Sequence, residues 1–394
     1  MRLNINHYQG REQSFIKHLF LQKYLENAAY KLFQGRSPVF NFVDAFAGPW
    51  RNSDSESLSD TSFALALTTL ENVRRILANL GHSNLRVRFR FCEKNPESLA
   101  KLQAFAESKT DFDIKVFSGA FEDNLAGIQA ACRDIRDSFT FTFIDPTGWN
   151  VDSRPIFSFL KDLRGEVLFN FMSEHVNRHA GWDGVATSVG RFLADPAWRP
   201  AFEALPDISN EEKVLRLFKA KMKEAGAATH LPDIVIRKPR EDRIKMRLIL
   251  GTHNSHGVSV FRDVQALVEK EAIRTRQNIK ITESGQPSLF SEEQIIEFEA
   301  QRDGVGCAAN MGWATETLLG LVRSQPGIAF ESAAPLIMEQ VPVRETHVKD
   351  IAVTQHKAGF LHFDLPPGKR KPQASTNLYP ASSEAANDRP TSSL

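Results

Sequence analysis

The sequence predicts an α/β protein built on a doubly wound, mostly parallel sheet. Apolar, β-rich runs VFNFVD (39–44), VRFRFCE (87–93) and FTFTFID (139–145) each end in an acid. Helical patterns separate them, and alternating β and α segments favour a parallel sheet. Two later runs, 233–238 and 245–252, are parted only by charged turn residues and read as an antiparallel hairpin closing the sheet.

A helix over 11–34, with Phe15, Leu19, Tyr24 and Leu25 among its apolar positions, leads into the first strand. That strand leaves Asp44 at its carboxyl end, followed by Ala-Phe-Ala-Gly and a proline. Open α/β sheets bind ligands outside these strand ends, and small residues there let a ligand approach the backbone. The second strand ends in Glu93, where nucleotide-binding folds place an acid on ribose hydroxyls, usually about 20 residues on. Here the acids are 49 apart, so residues 51–60 and a helix from Ser62 to about Leu80 must form an insertion. Glu93 can equally be a solvated strand end or a helix cap.

A helix over 96–107, striped by Leu99, Leu102 and Phe105, precedes a strand at 114–117 ending in SGAFED. Another helix reaches about 137. The strand 139–144 is wholly apolar at its end, as for a central strand, and stops at Asp145-Pro146, with Gly148 permitting a turn. A fifth strand covers 166–171. An insert over 173–231 carries Trp182, Trp198 and an amphipathic helix near 211–225, suited either to substrate specificity or to a packing cap.

The domain reading is an α/β domain over 1–283, a linker with one helix over 284–310, and a winged-helix-like domain over 311–365. In that domain helices are expected at 311–323, 331–340 and 344–358, with FLHF as a wing strand. Residues 366–394, rich in Pro, Ser and Asn, read as disordered.

With 42% hydrophobic and 25% charged residues, the 394-residue chain forms a core readily. Net charge +1 gives no global attraction to nucleic acid or membranes, leaving local patches. Cys92, Cys132 and Cys307 share no metal-ligand spacing. No signal-peptide region and no apolar run of about 18–20 residues is present, so a soluble cytoplasmic protein is expected. His175 and His179 are spaced i, i+4 but lack a third ligand nearby, and His253 and His256 sit in a turn; no metal is expected. Arg86, Arg88 and Arg90 alternate along the second strand, placed either for phosphates or for solvent. Residues 311–371 hold seven Lys/Arg against six Asp/Glu, less basic than a DNA reader usually is. Arg344, His347, Lys349 and Lys357 are the candidate contacts there, and protein docking fits as well.

Taken in order, KHLFLQKYL, FVDAFAGP, FCEKNPE, FIDPTGW, EVLFNFM, the Asn177-Arg178 pair, LILGTHNSHG and the carboxy-terminal segment resemble the three-Cys-motif partner protein (TcmP) family over most of residues 7–364. The resemblance implies a class I methyltransferase-like fold, S-adenosyl-L-methionine (SAM) as cofactor, and a radical-SAM-like three-cysteine-motif protein as partner. The cysteines of this chain do not form that motif. Asp44 would then contact the amino-acid end of SAM. Phe46, Ala47, Gly48 and Pro49 would line methionine and ribose, Glu93 would hold the ribose hydroxyls, and Gly119, Ala120 and Phe121 would lie near the adenine. The chain departs from the family where Gly48-Pro49-Trp50 replaces Gly-Pro-Gly and SLSDTSF replaces Gly-Ser-Pro. Trp50 would crowd the methionine or stack beside it.

Asp145-Pro146-Thr147-Gly148-Trp149 is similar to the acid-Pro-Pro-aromatic motif of amino-group methyltransferases, with one proline replaced and one residue inserted. In that motif the acid accepts hydrogen bonds from the target amine and the ring stacks on a flipped base. Asn170 and Arg178 would orient the acceptor. Methyl transfer depends on in-line alignment, so no dedicated base is required. The expected function is a SAM-dependent methyltransferase acting on DNA or RNA or with its partner protein. The alternative is a non-catalytic adaptor that keeps the scaffold and recruits a partner or DNA. A nicotinamide oxidoreductase is disfavoured by the missing G-x-G-x-x-G. Residues 286–290, QPSLF, resemble the peptide with which bacterial replication and repair proteins bind the sliding clamp.

Overall fold

The computed structural model describes residues 3–35, 38–48, 58, 60–82, 84–146, 148, 151–173, 183–238, 241, 243–284 and 289–381. These residues form two compact units, 1–253 with 275–285, and 254–274 with 286–394.

The first unit is organised by a seven-stranded sheet. In chain order its elements are α1 (Glu12–Phe33), β1 (Val39–Asp44), α2 (Ser62–Asn79), β2 (Arg86–Glu93), α3 (Pro96–Glu107), β3 (Asp113–Ser118), α4 (Phe121–Arg133), β4 (Phe139–Ile144), α5 (Ser153–Asp162), β5 (Gly165–Phe171), α6 (Ala186–Phe192), α7 (Trp198–Glu203), α8 (Asn210–Glu224), β6 (Asp233–Arg237) and β7 (Ile244–Gly251). Strand order is β3-β2-β1-β4-β5-β7-β6. The first five strands are parallel, and β7 runs antiparallel to both β5 and β6.

Local chemistry sets the element ends. The Thr61 hydroxyl accepts from Ala64 N–H at the start of α2, and Asn95 accepts from Ser98 N–H, with Pro96 as the first residue of α3. Gly165 opens β5 where any Cβ would fall 1.8 Å from the Thr140 carbonyl oxygen, so no other residue fits that turn. Phe89, Phe42 and Phe141 face one another across β2, β1 and β4. Tyr24 of α1 packs on Phe141, and Phe63 of α2 packs on Phe91. On the other face, Val43, Cys92, Phe169 and Phe171 meet α4, α5, α6 and α8.

Arg88 and Arg90 are not available to phosphates. Both are buried in β2, paired with Asp113, and Arg88 also holds Asp134. Alternation marked them as one face of a strand, but that face is covered.

The second unit begins with α9 (Ser255–Ser284), whose residues up to 274 belong to it. It continues with α10 (Glu292–Asp303), α11 (Ala308–Ser324), β8 (Ile328–Ala329), α12 (Phe330–Gln340), α13 (Glu345–Lys357), β9 (Leu361–His362) and β10 (Asn377–Pro380). The three short strands form an antiparallel sheet in the order β8-β10-β9. Arg262 is buried and donates to the carbonyls of Met338 and Glu339 in the last turn of α12, where carbonyls run out of helical N–H partners. The expectation of disorder from 366 onward is corrected for residues 377–380. Leu378 is fully buried, and β10 is seated by its pairing with β8 on one side and β9 on the other. Residues 382–394 lie outside the described residues.

Candidate functional site

The sheet's strand order reverses between β1 and β4. From β1 the chain runs outward through β2 and β3, and it returns on the other side through β4 and β5. Ligands bind at such switch points, outside the carboxyl ends of the strands. Asp44, Glu93 and Asp145 stand at the carboxyl ends of three adjacent parallel strands, β1, β2 and β4. Asp44 is level with Phe91 and Phe143, so Glu93 and Asp145 each lie two residues further out. The segment after β1 stays threaded between its neighbours: Ala45 N–H donates to the Phe143 carbonyl and Ala47 N–H to the Cys92 carbonyl, both at 2.9 Å. Ala45 and Ala47 are buried, and Phe46 and Gly48 are half-buried.

Asp44 is completely buried. Ser62 Oγ donates to its Oδ2 at 2.6 Å, and Phe46 N–H donates to its Oδ1 at 3.2 Å. Burial nevertheless lifts its pKa to about 7, because these two bonds and Lys17 offset only part of the desolvation, and Asp145 adds like charge.

Asp145 is held from two sides. Lys17 of α1 forms an ion pair with Oδ2, and Asn170 of β5 donates through Nδ2 to Oδ1 at 2.5 Å. Asn170 is buried, yet its own Oδ1 has no hydrogen-bond partner among the described residues. A buried amide oxygen without a donor is costly and is the kind of group that a ligand N–H satisfies. Pro146 is buried beneath Asp145 in sequence and closes the strand. Next to Lys17, His18 Nδ1 meets the Tyr8 hydroxyl at 2.9 Å. Burial first, and Lys17 second, depress the His18 pKa to about 3, so this ring is neutral at physiological pH.

Glu93 is buried, and its Oε1 accepts from Asn95 N–H at 2.6 Å, which makes it both a strand end and a turn former. The Cys92 thiol, one residue before Glu93, donates to the Gly119 carbonyl after β3. Its pKa is pushed up to about 12, chiefly by burial and then by Glu93, Asp44 and Glu122. Gly119 follows β3 at φ +110°, a conformation that favours glycine, and Asn124 Nδ2 ties the turn together by donating to the Ser118 and Ala120 carbonyls. Ala120 is half-buried. Phe121 does not line the crevice: it is 1% exposed and packs edge-on against Phe159 in the core. The family resemblance implied a place near the adenine, but Phe121 is the first residue of α4 and is turned into the core.

Pro49, Trp50, Thr147, Trp149, Arg178, His175, His179 and Trp182 lie outside the described residues. Among the described residues no group of three or more His, Cys, Asp or Glu is placed to hold a metal, and no helix is long and apolar enough to cross a membrane. Sequence reasoning missed Lys17, Ser62 and Asn124. Each occupies an ordinary polar position on a helix, and only the spatial partner reveals its role.

No protein-family model matches the chain, and no curated protein sequence matches it. Solved structures align distantly. Protein LPL1258 from Legionella pneumophila, of family model DUF519, shares 13% identity at TM-score 0.33, covering 61% of this chain and 85% of that one. Loganic acid methyltransferase with SAH shares 8% at TM-score 0.29, covering 77% and 92%. Overlaps this low carry no weight for activity. What the structure itself gives is the sheet order 3-2-1-4-5-7-6 with its seventh strand antiparallel to its neighbours, the closing hairpin expected from the sequence.

Proposed function

We propose that the chain is a SAM-dependent methyltransferase of the three-Cys-motif partner type that methylates an amine on a nucleic acid. The single observation behind this is the Asp145–Asn170 pair at the switch point. There a carboxylate, whose side chain is 20% exposed, lies beside a buried amide oxygen that lacks a donor. Two acceptors side by side suit an acceptor group with two N–H bonds.

The residues present fit the cofactor. Half-buried Gly48 has no side chain and leaves its backbone open to close approach, and the carboxylates of Asp44 and Glu93 stand behind it at the ends of neighbouring strands. When bound, SAM supplies an electrophilic methyl group. Asp145 would accept one amine hydrogen and hold the nitrogen in line, Asn170 would take the other, and Lys17 would fix the carboxylate's orientation. Asp44, buried and held by Ser62 and Phe46, would favour the cationic end of the cofactor through the charge of its carboxylate behind the loop rather than by direct contact.

Incubation with tritiated SAM and total RNA or genomic DNA tests this. Asp145→Asn is expected to lower methyl incorporation about 100-fold while leaving SAM affinity nearly unchanged. A wild-type chain that neither binds SAM by calorimetry nor transfers label would refute it.

One observation favours a second reading. Lys17 already occupies one oxygen of Asp145, as a scaffold that has lost its substrate would allow. On that reading the chain is an adaptor, and the second unit recruits a radical-SAM-like partner or DNA. The α11-β8-α12-α13-β9-β10 order supports a winged-helix-like assignment for that unit. Absent SAM binding with intact partner binding would select it. A sliding-clamp contact through 286–290 is supported by Leu289 and Phe290, which are 99% and 66% exposed; Gln286, Pro287 and Ser288 lie outside the described residues. Leu289→Ala with Phe290→Ala should abolish clamp retention in surface plasmon resonance, and unchanged retention would dismiss the contact.

A further inference from the structure

The second unit carries a basic surface that the chemistry above leaves unused. A four-residue turn, 341–344, joins α12 to α13, with Val341 and Val343 buried, which is the spacing of a helix-turn-helix pair. β9 follows α13 and pairs antiparallel with β10, so residues 363–376 form the arm that connects these two strands.

The arm is firmly built. Lys369 N–H donates to the Pro366 carbonyl at 3.1 Å and Gly368 sits at φ +77°, closing a turn over Pro366-Pro367-Gly368-Lys369. Gln373 N–H donates to Thr376 Oγ1 at 2.8 Å, and the first two N–H groups of α12, on Phe330 and Glu331, donate to the Thr376 and Ala374 carbonyls. Two contacts hold the arm against α13. Lys371 forms an ion pair with Asp350, and the rings of His356 and Phe363 lie 4.5 Å apart.

The four exposed residues of α13 are Thr346, Asp350, Thr354 and Lys357, at i, i+4, i+8 and i+11, and they form one stripe. None is apolar, unlike the core of a protein–protein interface. Lys369, Arg370 and Lys371 are exposed on the arm. Among the described residues no acid pairs with Lys357, Lys369 or Arg370. Stripe and turn thus set four cations against Asp350, while the arm's own acid, Asp364, faces His362 at 3.5 Å. Of the contacts expected from the sequence only Lys357 is exposed: Arg344 is engaged with Asp263, Lys349 with Glu345, and His347 is half-buried.

We infer that this surface binds duplex DNA, with the α13 stripe in the major groove and Lys369 and Arg370 on the phosphates beside it. The inference rests on the winged-helix-like assignment of this unit and on neither account of the first unit. The major groove of B-DNA admits an α-helix, and the short hydroxyl side chains at 346 and 354 let this one approach closely. A preformed turn adds phosphate contacts with little left to order on binding.

Fluorescence anisotropy with a labelled DNA duplex of mixed sequence tests it on the full chain. Lys369→Glu combined with Arg370→Glu should weaken binding by about tenfold or more and reduce the slope of log Kd against log salt by about 1.8, for two lost phosphate contacts at about 0.9 each. Lys369→Arg with Arg370→Lys should keep the affinity, and Thr354→Glu, in the stripe, should weaken it. If charge reversal prevents folding, as judged by circular dichroism, Lys369→Gln with Arg370→Gln carries the test. A wild type that shows no binding at roughly 100 μM chain, or a folded double variant with unchanged affinity and slope, would overturn the inference. So would equal binding of duplex RNA, whose deep, narrow major groove does not admit a helix. Tighter binding of polyglutamate than of DNA, lost in the same variants, would also overturn it and assign the surface to an acidic protein. Calorimetry with SAM reads the first unit separately. Duplex binding that depends on the arm, without SAM binding, supports the inference and removes the methyltransferase; SAM binding without duplex binding removes the inference alone.

Discussion

Asp44→Asn is expected to make the protein more stable and, on the proposed methyltransferase reading, to abolish SAM binding. A carboxyl moved by burial from 3.8 to about 7 is protonated in the folded chain while it is ionised in the unfolded one. Between about pH 4 and pH 7 the unfolded state binds fewer protons at this group. Stability therefore falls as pH rises through that window and stays low above it. The full penalty is on the order of 4 kcal/mol. Asparagine escapes it: its amide oxygen still accepts from Phe46 N–H, and its NH₂ can donate to Ser62 Oγ. We expect a gain of roughly 2 kcal/mol at pH 7.5, measured by urea unfolding, that disappears near pH 4. The same substitution removes the charge that a cationic cofactor needs, and SAM affinity should drop about 100-fold or more. In the wild type, SAM should bind up to about tenfold more tightly per pH unit between pH 5.5 and 7, since only the ionised carboxylate attracts it. A variant that gains no stability would show that Asp44 is ionised without cost. A variant that keeps SAM affinity would place the cofactor elsewhere.

The sheet was legible because central parallel strands leave no choice of composition. FTFTFI and VFNFVD are buried at every position, and such runs stand out from their helices. The hairpin was legible for a related reason, two apolar runs joined by a charged turn. The acids at strand ends were legible as positions. Their partners were not, because Asp44 is held by Ser62, 18 residues away, and Asp145 by Lys17, 128 residues away. The arginines of β2 show the same limit. Alternation put Arg88 and Arg90 on one face, but only β3 and the end of α4, which bring Asp113 and Asp134, decide that this face is an internal ion-pair cluster. β10 was hidden in a compositionally poor segment, since its seat is made by β8 and β9 rather than by its own four residues.

Arg247→Ala should be among the most damaging single changes in the first unit, although Arg247 reads in sequence as one more charge on a hairpin strand. Its Nε donates to Glu211 Oε1 at 2.6 Å and its Nη1 to Asp233 Oδ2 at 2.8 Å. Ser173 Oγ donates to the same Glu211 oxygen at 2.8 Å. Lys219 completes the cluster on Asp233. The Glu211 side chain is 3% exposed, so truncating its arginine leaves a buried carboxylate short of a cation, a loss of about 3–5 kcal/mol. Burial alone would raise the Asp233 pKa, but Lys219 and Arg247 outweigh it and hold the carboxyl well below its ordinary value. The stabilisation it gives is therefore present above the unfolded value of 3.8 and fades as pH falls below that. The damage from Arg247→Ala should be largest at neutral pH and shrink toward pH 3, as read by chemical denaturation at each pH. Replacing Arg247, Glu211 and Asp233 together by apolar residues of similar size should be far milder than the single truncation, because no charge is then left unpaired. A single variant that loses less than about 1 kcal/mol would mean that solvent reaches the cluster and screens it like a surface pair. Because β7 is the strand paired with Asn170 through Leu248, a loosened cluster should also raise hydrogen exchange along β5, beside the candidate site.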